Sequence, residues 1–273
     1  MNLDDIKAHW SAWAREFESD IRATTRTPTI KKLEIAAIGR FIEEACAGKD
    51  AANVLEVGCG NGVNCLALAA ELDSMHFDGV DYIPEMIDSA KASLAESELQ
   101  NLRFEVGNIL ELGSNPFLAP TYDVVFTNRC VINLNQHALQ MDALTQLSHR
   151  VKPGGLLLLL ENQICTHAAQ NELREALRLP ARKAADFNLF MDQTKTLQHM
   201  QSLGFEHSSI SNFASLHDLM LYVLLPAISE GKTAYDHPLM DAVTELLLNR
   251  PDLSESFGAF GQNQLLVFRR CQR

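Results

Sequence analysis

The chain has 273 residues, 47% of them hydrophobic and 21% charged, with a formal net charge of -12. That length suits one α/β domain carrying insertions. The acidity argues against nucleic acid and anionic membrane surfaces as partners, since a nucleic-acid binder shows a basic face and the densest basic run, Arg22 to Lys32, is modest.

The first predicted element covers residues 3–20, where Ile6, Trp10, Trp13 and Phe17 recur three or four apart as on one face of an amphipathic helix. The polar stretch RATTRTPT follows and breaks regularity at Pro28. IKKLEIAAIGRFIEEACAG then reads as a second helix ending near Gly48. Residues 1–48 thus form an N-terminal helical segment, and 49–273 a main domain.

In that domain strands and helices alternate. Strands are expected at Asn53–Val57, His76–Val80, Leu102–Val106, Tyr122–Thr127 and Gly155–Glu161. Helices are expected at Val63–Leu72, Pro84–Ser97 and His137–Arg150, with KPGG (Lys152 to Gly155) as the turn into the fifth strand. Such alternation implies βαβ units and a doubly wound, mostly parallel sheet covered on both faces. Beyond Glu161, helices are expected at Ala168–Leu179 and Thr194–Leu203, and strands at FEHSSISNF and QLLVFRR, giving seven strands. The segment Ala214 to Gly261 is too long for a plain connection and is read as a helical cap insertion.

The six cysteines show no CxxC pairing and no metal-like spacing with histidine, so they read as reduced thiols and no metal site is expected. The charged start MNLDDIKAHW lacks an apolar signal core, and no apolar run is long enough to span a bilayer. A cytoplasmic protein is expected.

The chemistry concentrates in VLEVGCGNGVNCLALAA, Val54 to Ala70, where a strand runs into Gly58, Gly60 and Gly62 and then into a helix. Glycines permit positive φ and bare the main chain to a ligand, and the helix N-terminus offers free amides to an anionic group. Asp81, ending the next strand about twenty residues later, suits the two hydroxyls of a ribose. Together they point to an adenosine-containing cofactor. The spacing is not that of a dinucleotide fingerprint, because Val63 stands where its last glycine belongs, and no GK[ST] of a triphosphate loop follows.

Glu56-Val57-Gly58-Cys59-Gly60-Asn61-Gly62 resembles the E-x-G-x-G-x-G loop of class I S-adenosylmethionine-dependent methyltransferases of the bacterial small-molecule type. The resemblance continues through GVDYIPEMIDSAK, FEVGNILEL, YDVVFTNRCVINL and LSHRVKPGGLLLLLE, about Asn53 to Glu161. It implies the class I methyltransferase fold, S-adenosylmethionine as cofactor and S-adenosylhomocysteine as product.

It also implies roles. Glu56, Gly58, Cys59, Gly60 and Gly62 shape the pocket for the methionine part, and Asp81 binds the ribose. Tyr82 and Met86 pack beside the adenine, and Asn108 and Ile109 flank its other edge; Asn108 replaces a frequent Asp, but its amide oxygen also accepts. Asn128 and Arg129 follow the fourth strand near the methyl group.

For several residues two readings stand. Arg129 either binds a substrate anion or pairs with a structural carboxylate such as Glu161. His137 is a helix-start residue or a general base. Asn188, in DFNLFMD, is the preferred substrate-facing residue after the fifth strand. Trp10 and Trp13 pack the first helix, and by resemblance such a helix also closes over the donor. Arg26 and Thr27, on the polar stretch after that helix, are either plain loop residues or partners of the cofactor carboxylate. Asn133 and Asn135 read as loop residues rather than ligands, and Tyr222, Tyr235 and His237 as ordinary packing within the cap, the other reading being that they line its inner wall.

The expected function is methyl transfer to oxygen or nitrogen of a small metabolite. The alternatives are a modifier of protein or RNA and a non-catalytic cofactor-binding regulator. TNRC stands where an Asn-Pro-Pro-Tyr-type tetrapeptide would mark methylation of exocyclic amines or glutamine. No cysteine triad suggests arsenic, and no paired cysteines suggest thiol-based carbon methylation. The acceptor atom and the oligomeric state are not legible.

Overall fold

Apolar runs of β-branched and leucine residues form strands, and the segments of 3.6 period form helices. In the structure, a computed structural model that describes residues 2–272, the strands are β1 (Ala52–Val57), β2 (Met75–Asp81), β3 (Leu102–Val106), β4 (Tyr122–Asn128), β5 (Val151–Asn162), β6 (Phe205–Ser211) and β7 (Asn263–Arg270). They make one seven-stranded sheet of order β3-β2-β1-β4-β5-β7-β6. Neighbours among β1 to β5 pair in parallel, and β7 runs antiparallel to both β5 and β6. The chain winds outward from β1 to β3 and then returns to lay β4 on the other side of β1. The C-terminal ends of β1 and β4 therefore flank the switch point, where a doubly wound sheet opens a crevice.

Helices α1 (Leu3–Phe17), α2 (Pro28–Cys46), α3 (Val63–Glu71), α4 (Pro84–Ala95), α5 (His137–Arg150), α6 (Ile164–Ala176) and α7 (Gln193–Ser202) cover the sheet and its C-terminal rim. The start of α1 is set by a capping box: Asn2 Oδ1 accepts from the Asp5 N–H at 2.8 Å, and the Asn2 N–H donates to Asp5 at 3.1 Å. Pro28 and Pro84 stand in the first turns of α2 and α4, where the missing N–H removes no helical bond.

The leucine run of β5 shows why the sheet is covered on both faces. Leu156, Leu158 and Leu160 pack with Ile38, Ile42, Leu68 and Phe126, while Leu157 and Leu159 pack on the other side with Leu55, Val125, Leu144 and Leu147. Period-two alternation sends successive leucines to opposite layers, so a continuous apolar run is what a central strand needs. Truncating one, as in Leu158→Ala, would cost about 2–5 kcal/mol. KPGG is not a separate turn before β5. It is a bulge within it, where the pairing opposite Tyr122 and Val124 jumps from Val151 to Leu156 and Gly154 takes φ +75°.

Between β6 and β7 lie α8 (Ser215–Leu219), a π-helical turn (Met220–Leu224), α9 (Leu225–Ile228), α10 (Pro238–Asn249) and α11 (Pro251–Glu255). Its second half is no cap over the site. Helix α10 packs on α2, and Val243 and Leu247 join the core beside Ile38 and Ile42. Only the first helical run reaches the crevice. No helix among the described residues is long and apolar enough to cross a membrane.

Candidate active site

At the switch point β1 ends in a loop whose three glycines all have positive φ: Gly58 +77°, Gly60 +55° and Gly62 +81°. The geometry is demanded partly by the protein itself. A Cβ on Gly58 would lie 2.3 Å from Cys130 Sγ, and one on Gly62 would lie 2.6 Å from Phe104 Cζ. The loop thus folds tightly onto the turn after β4 and onto β3 while its outer edge borders a cavity of about 510 Å³, within the range of about 300–1,000 Å³ typical of small-molecule sites.

Of the residues expected at the site, the cavity wall includes Gly58, Cys59, Asp81, Tyr82 and Met86. It also includes Asn108, Ile109, Asn128, Arg129, Asn188, Arg26 and Trp10. The structure does not bring Glu56, Gly60, Gly62 or His137 to that wall.

Glu56 is fully buried behind the loop, where it accepts from Asn64 Nδ2 at 2.6 Å and from the Cys65 thiol at 2.9 Å. Burial raises its pKa to about 7 against those two hydrogen bonds. The Gly60 N–H turns inward to Asp81, and Gly62 begins α3. His137 opens α5 with Nδ1 3.0 Å from Gln140 Oε1, which makes it a helix-start residue.

Asp81 ends β2 beside this loop. Its Oδ2 accepts from the Gly60 N–H at 2.8 Å and its Oδ1 from the Ile83 N–H at 2.9 Å. Burial raises its pKa against these main-chain bonds. The carboxylate therefore ties the two strand ends together and still presents lone pairs to the cavity. Ile83, Met86, Ile109 and Leu110 give the neighbouring wall an apolar lining. Asn108 Oδ1 accepts from the Leu110 N–H at 3.0 Å, so its amide oxygen also shapes the turn after β3.

Past β4, Arg129 takes the left-handed conformation, φ +55°. Its partner is not Glu161 but Glu34 of α2, with Nε 3.1 Å from Oε1. Glu161 is instead fully buried and accepts from Thr127 Oγ1 and from the N–H groups of Cys130, Val131 and Ile132 at 2.8–3.3 Å. Burial raises its pKa to about 7 despite these four donors. Glu161 thereby sets the course of the loop that carries Arg129 and Cys130.

Helix α1 roofs the cavity. His9, Trp10 and Trp13 line it, and Phe187 of the segment after α6 stacks on the His9 ring at 4.4 Å. Asn133 Oδ1 accepts from Trp10 Nε1 at 3.2 Å and from Asn188 Nδ2 at 3.1 Å. Asn133 was expected to be only a loop residue, yet it joins the roof to the sheet. Arg26 lies over the Trp13 ring at 5.3 Å. Tyr222 lines the cavity under the Arg182 guanidinium, which sits 3.4 Å from its ring centroid, whereas His237 caps α10.

Sequence reading missed several residues in the wall and directly behind it. Glu34 is 0% exposed and Lys31 is 3% exposed, paired at 2.8 Å. Burial raises the Glu34 pKa, but Arg129 and Lys31 outweigh it and hold the carboxylate below its ordinary range. An opposite pair at i, i+3 inside the apolar face of IKKLEIAAIG was the available signal. Asn162, Asp218 and Asn263 carried none, since each is an ordinary polar residue at the edge of a predicted element.

These residues fit a nucleoside with a charged tail. The apolar pocket suits a base, Asp81 suits a ribose, and the edge made by Gly58, Cys59 and Asn61 suits the tail. Asn61 gives Nδ2 to the Glu18 and Asp20 carbonyls, which leaves its buried Oδ1 without a partner and open to a ligand donor. Sheet order, glycine loop and acidic strand end together define the class I S-adenosylmethionine-dependent methyltransferase fold.

The chain belongs to that family: residues 48–233 match the family model described as Methyltransferase domain. Among curated proteins it is similar to an arsenite methyltransferase of Halobacterium salinarum, 36% identical over 104 residues, 37% of this chain and 25% of that protein. It is also similar to a demethylmenaquinone methyltransferase of Deinococcus radiodurans, 30% identical over 108 residues, 40% of this chain and 42% of that protein. These matches span less than half of either relative. A solved structure similar in fold is the magnesium protoporphyrin IX methyltransferase of Synechocystis PCC 6803 with bound S-adenosylhomocysteine. Its TM-score is 0.56 at 12% identity, covering 88% of this chain and 83% of that one.

Proposed function

We propose that this chain transfers the methyl group of S-adenosylmethionine to an oxygen or nitrogen of a small metabolite. One observation carries the reading. A single cavity of about 510 Å³ joins the glycine loop and Asp81 to the ends of β4, β5 and β7, and α1 lies over it. A concave space of this size, partly roofed by α1, suits a small acceptor better than a folded macromolecule.

When bound, the cofactor supplies a sulfonium-activated methyl for in-line displacement. The residues divide the remaining work. Asp81, Met86, Ile109 and Asn108 hold the nucleoside, with Tyr82 at its rim. Gly58, Cys59 and Asn61 would border the tail, and Arg26 of the same wall would pair with its carboxylate. Glu56, Gly60 and Gly62 support the loop from behind. Asn128 and Arg129 mark the border with the acceptor side, where Asn188 and Tyr222 lie. Trp10, Trp13 and Phe187 exclude water. Holding two reactants in line contributes up to about 7–11 kcal/mol of barrier lowering, so no strong general base is required for an acceptor that is already nucleophilic.

The test is incubation with methyl-labelled S-adenosylmethionine and fractionated cell extract. Label should appear in a fraction of small molecules, with S-adenosylhomocysteine released. Label confined to protein or RNA would refute the acceptor class. Calorimetry showing no cofactor binding would refute the reading entirely.

A further inference from the structure

Glu34 shares its two carboxylate oxygens among four side chains. Oε2 lies 2.8 Å from Lys31 Nζ and accepts from Asn128 Nδ2 at 3.1 Å, and Oε1 accepts from Asn263 Nδ2 at 2.8 Å with Arg129 Nε at 3.1 Å. A carboxamide has a donor end and an acceptor end, and a carboxylate takes only the donor. Reversing either asparagine would set oxygen against oxygen in a dry site. Glu34 therefore determines which way both carboxamides face, nitrogen toward α2 and oxygen away.

Those oxygens are left without a partner. Oδ1 of Asn128 and Oδ1 of Asn263 are buried and make no hydrogen bond within the chain, and the same holds for Oδ1 of Asn162. The three side chains are 7%, 5% and 2% exposed, and all line the cavity. Asn162 and Asn263 face each other across the β5–β7 ladder, on the side of the sheet remote from Asp81 and β2. Buried polar atoms are normally satisfied, so two acceptors turned away from Glu34, beside an Asn162 carboxamide with neither end bonded within the chain, call for hydrogen-bonding groups from a ligand.

The charge of the wall narrows the ligand. Lys31 and Arg129 are balanced by Glu34 and by Asp218 of the same wall, so an ammonium finds no excess counter-charge to offset its desolvation. The carboxamide oxygens oppose a carboxylate or phosphate. A neutral group bearing O–H or N–H meets neither penalty. Trp10, Phe187 and Tyr222 add flat apolar faces to the same cavity.

We infer that Asn162 and Asn263, with Asn128 at the border, form the acceptor-recognition subsite, which takes a neutral hydroxyl or amide group of a small molecule, and that Glu34 is its positioning residue. This rests on the proposed methyl-transfer reading of the cavity.

The test uses four one-ring probes of similar size: benzamide, benzyl alcohol, benzylammonium and benzoate. Each is titrated near neutral pH into the full chain saturated with S-adenosylhomocysteine, with binding read by ligand-observed NMR. Benzamide and benzyl alcohol should bind, and the two charged probes about tenfold more weakly or worse. Asn162→Leu, which touches no bond to Glu34, and Glu34→Gln should each weaken benzamide by about fivefold or more while S-adenosylhomocysteine affinity stays within about twofold.

A charged probe binding as tightly as benzamide overturns the inference, as does binding of none of the four or neutral binding indifferent to Asn162→Leu. If Glu34→Gln fails to fold, Asn162→Leu decides. If S-adenosylhomocysteine itself does not bind, the proposed function fails. The same probe ranking in the cofactor-free chain then judges the subsite.

Discussion

Trp10 of α1 donates its indole N–H to Asn133 Oδ1 at 3.2 Å, across 123 positions of sequence, and this bond fastens the roof to the loop after β4. The same oxygen takes Asn188 Nδ2, so two segments close over one point. Trp10→Phe keeps a ring but removes the donor. The loss of one hydrogen bond, about 0.5–1.5 kcal/mol net, should weaken S-adenosylhomocysteine by about two- to tenfold in calorimetry. The thermal midpoint should hardly move, because α1 packs on α4 outside the two main core layers. Unchanged affinity would show that the roof does not act on the ligand.

Asp81 serves the loop and, on the proposed reading, the ribose. Asp81→Ala removes the acceptor for the Gly60 and Ile83 N–H groups as well as for a ligand. It should lose about tenfold or more in cofactor affinity together with about 1–3 kcal/mol of stability from the orphaned donors. Asp81→Asn retains one acceptor oxygen and should recover part of the stability but little of the affinity. Paired calorimetry and denaturant titration separate the two effects, and full affinity in either variant would remove Asp81 from the site.

Gly58 cannot carry a side chain. With φ at +77° and Cys130 Sγ 2.3 Å from the position of a Cβ, alanine must displace the β4 loop. Gly58→Ala should cost more than about 1 kcal/mol and abolish cofactor binding. Combining it with Cys130→Ala or Cys130→Gly tests the cause: the double variant should recover part of the stability, while no recovery would locate the strain in the backbone alone.

Two buried glutamates predict a pH dependence. Glu56 and Glu161 are each raised from an ordinary value of 4.5 to about 7, burial being the first cause in both. Between those values the folded state holds protons that the unfolded state releases. Their contribution to stability is therefore complete below about pH 4.5 and falls away as pH rises through about 7. Glu161→Gln should flatten part of that slope in denaturant titrations at successive pH values. It keeps the oxygen that serves Thr127, Cys130 and Val131 and places an amide against the Ile132 N–H, so some stability is lost at every pH. An unaltered slope in both Glu161→Gln and Glu56→Gln would contradict the assignment.

Most of the fold was legible because its signals are local. The limits of β3 and α5 match the expected ones, and β1, β2, β4 and α3 differ at their ends by one or two residues. Period-two and 3.6-residue patterning and Pro at helix starts operate within a few residues of chain. KPGG was read as a turn before the strand and is a bulge within it, which depends on which residues of β4 lie opposite. The Ala214–Gly261 segment was read correctly as helical. Its packing on α2 depends on Val243 and Leu247 finding Ile38 and Ile42, a contact between distant parts of the chain.

The site divided along the same line. The glycine loop, the acid at the end of β2 and the residues that follow β3 and β4 were legible along the chain, because each is fixed to a strand end by its own short motif and the parallel order brings those ends together. That Glu56 lies behind the wall, that Arg129 pairs with Glu34 and that Asn133 anchors the roof followed from the packed fold. It alone placed the carboxamides of Asn128, Asn162 and Asn263 in one cavity. Those outcomes depend on which buried donor meets which buried acceptor, and such pairing is settled by packing across the sheet, where neighbours in space are strangers in sequence.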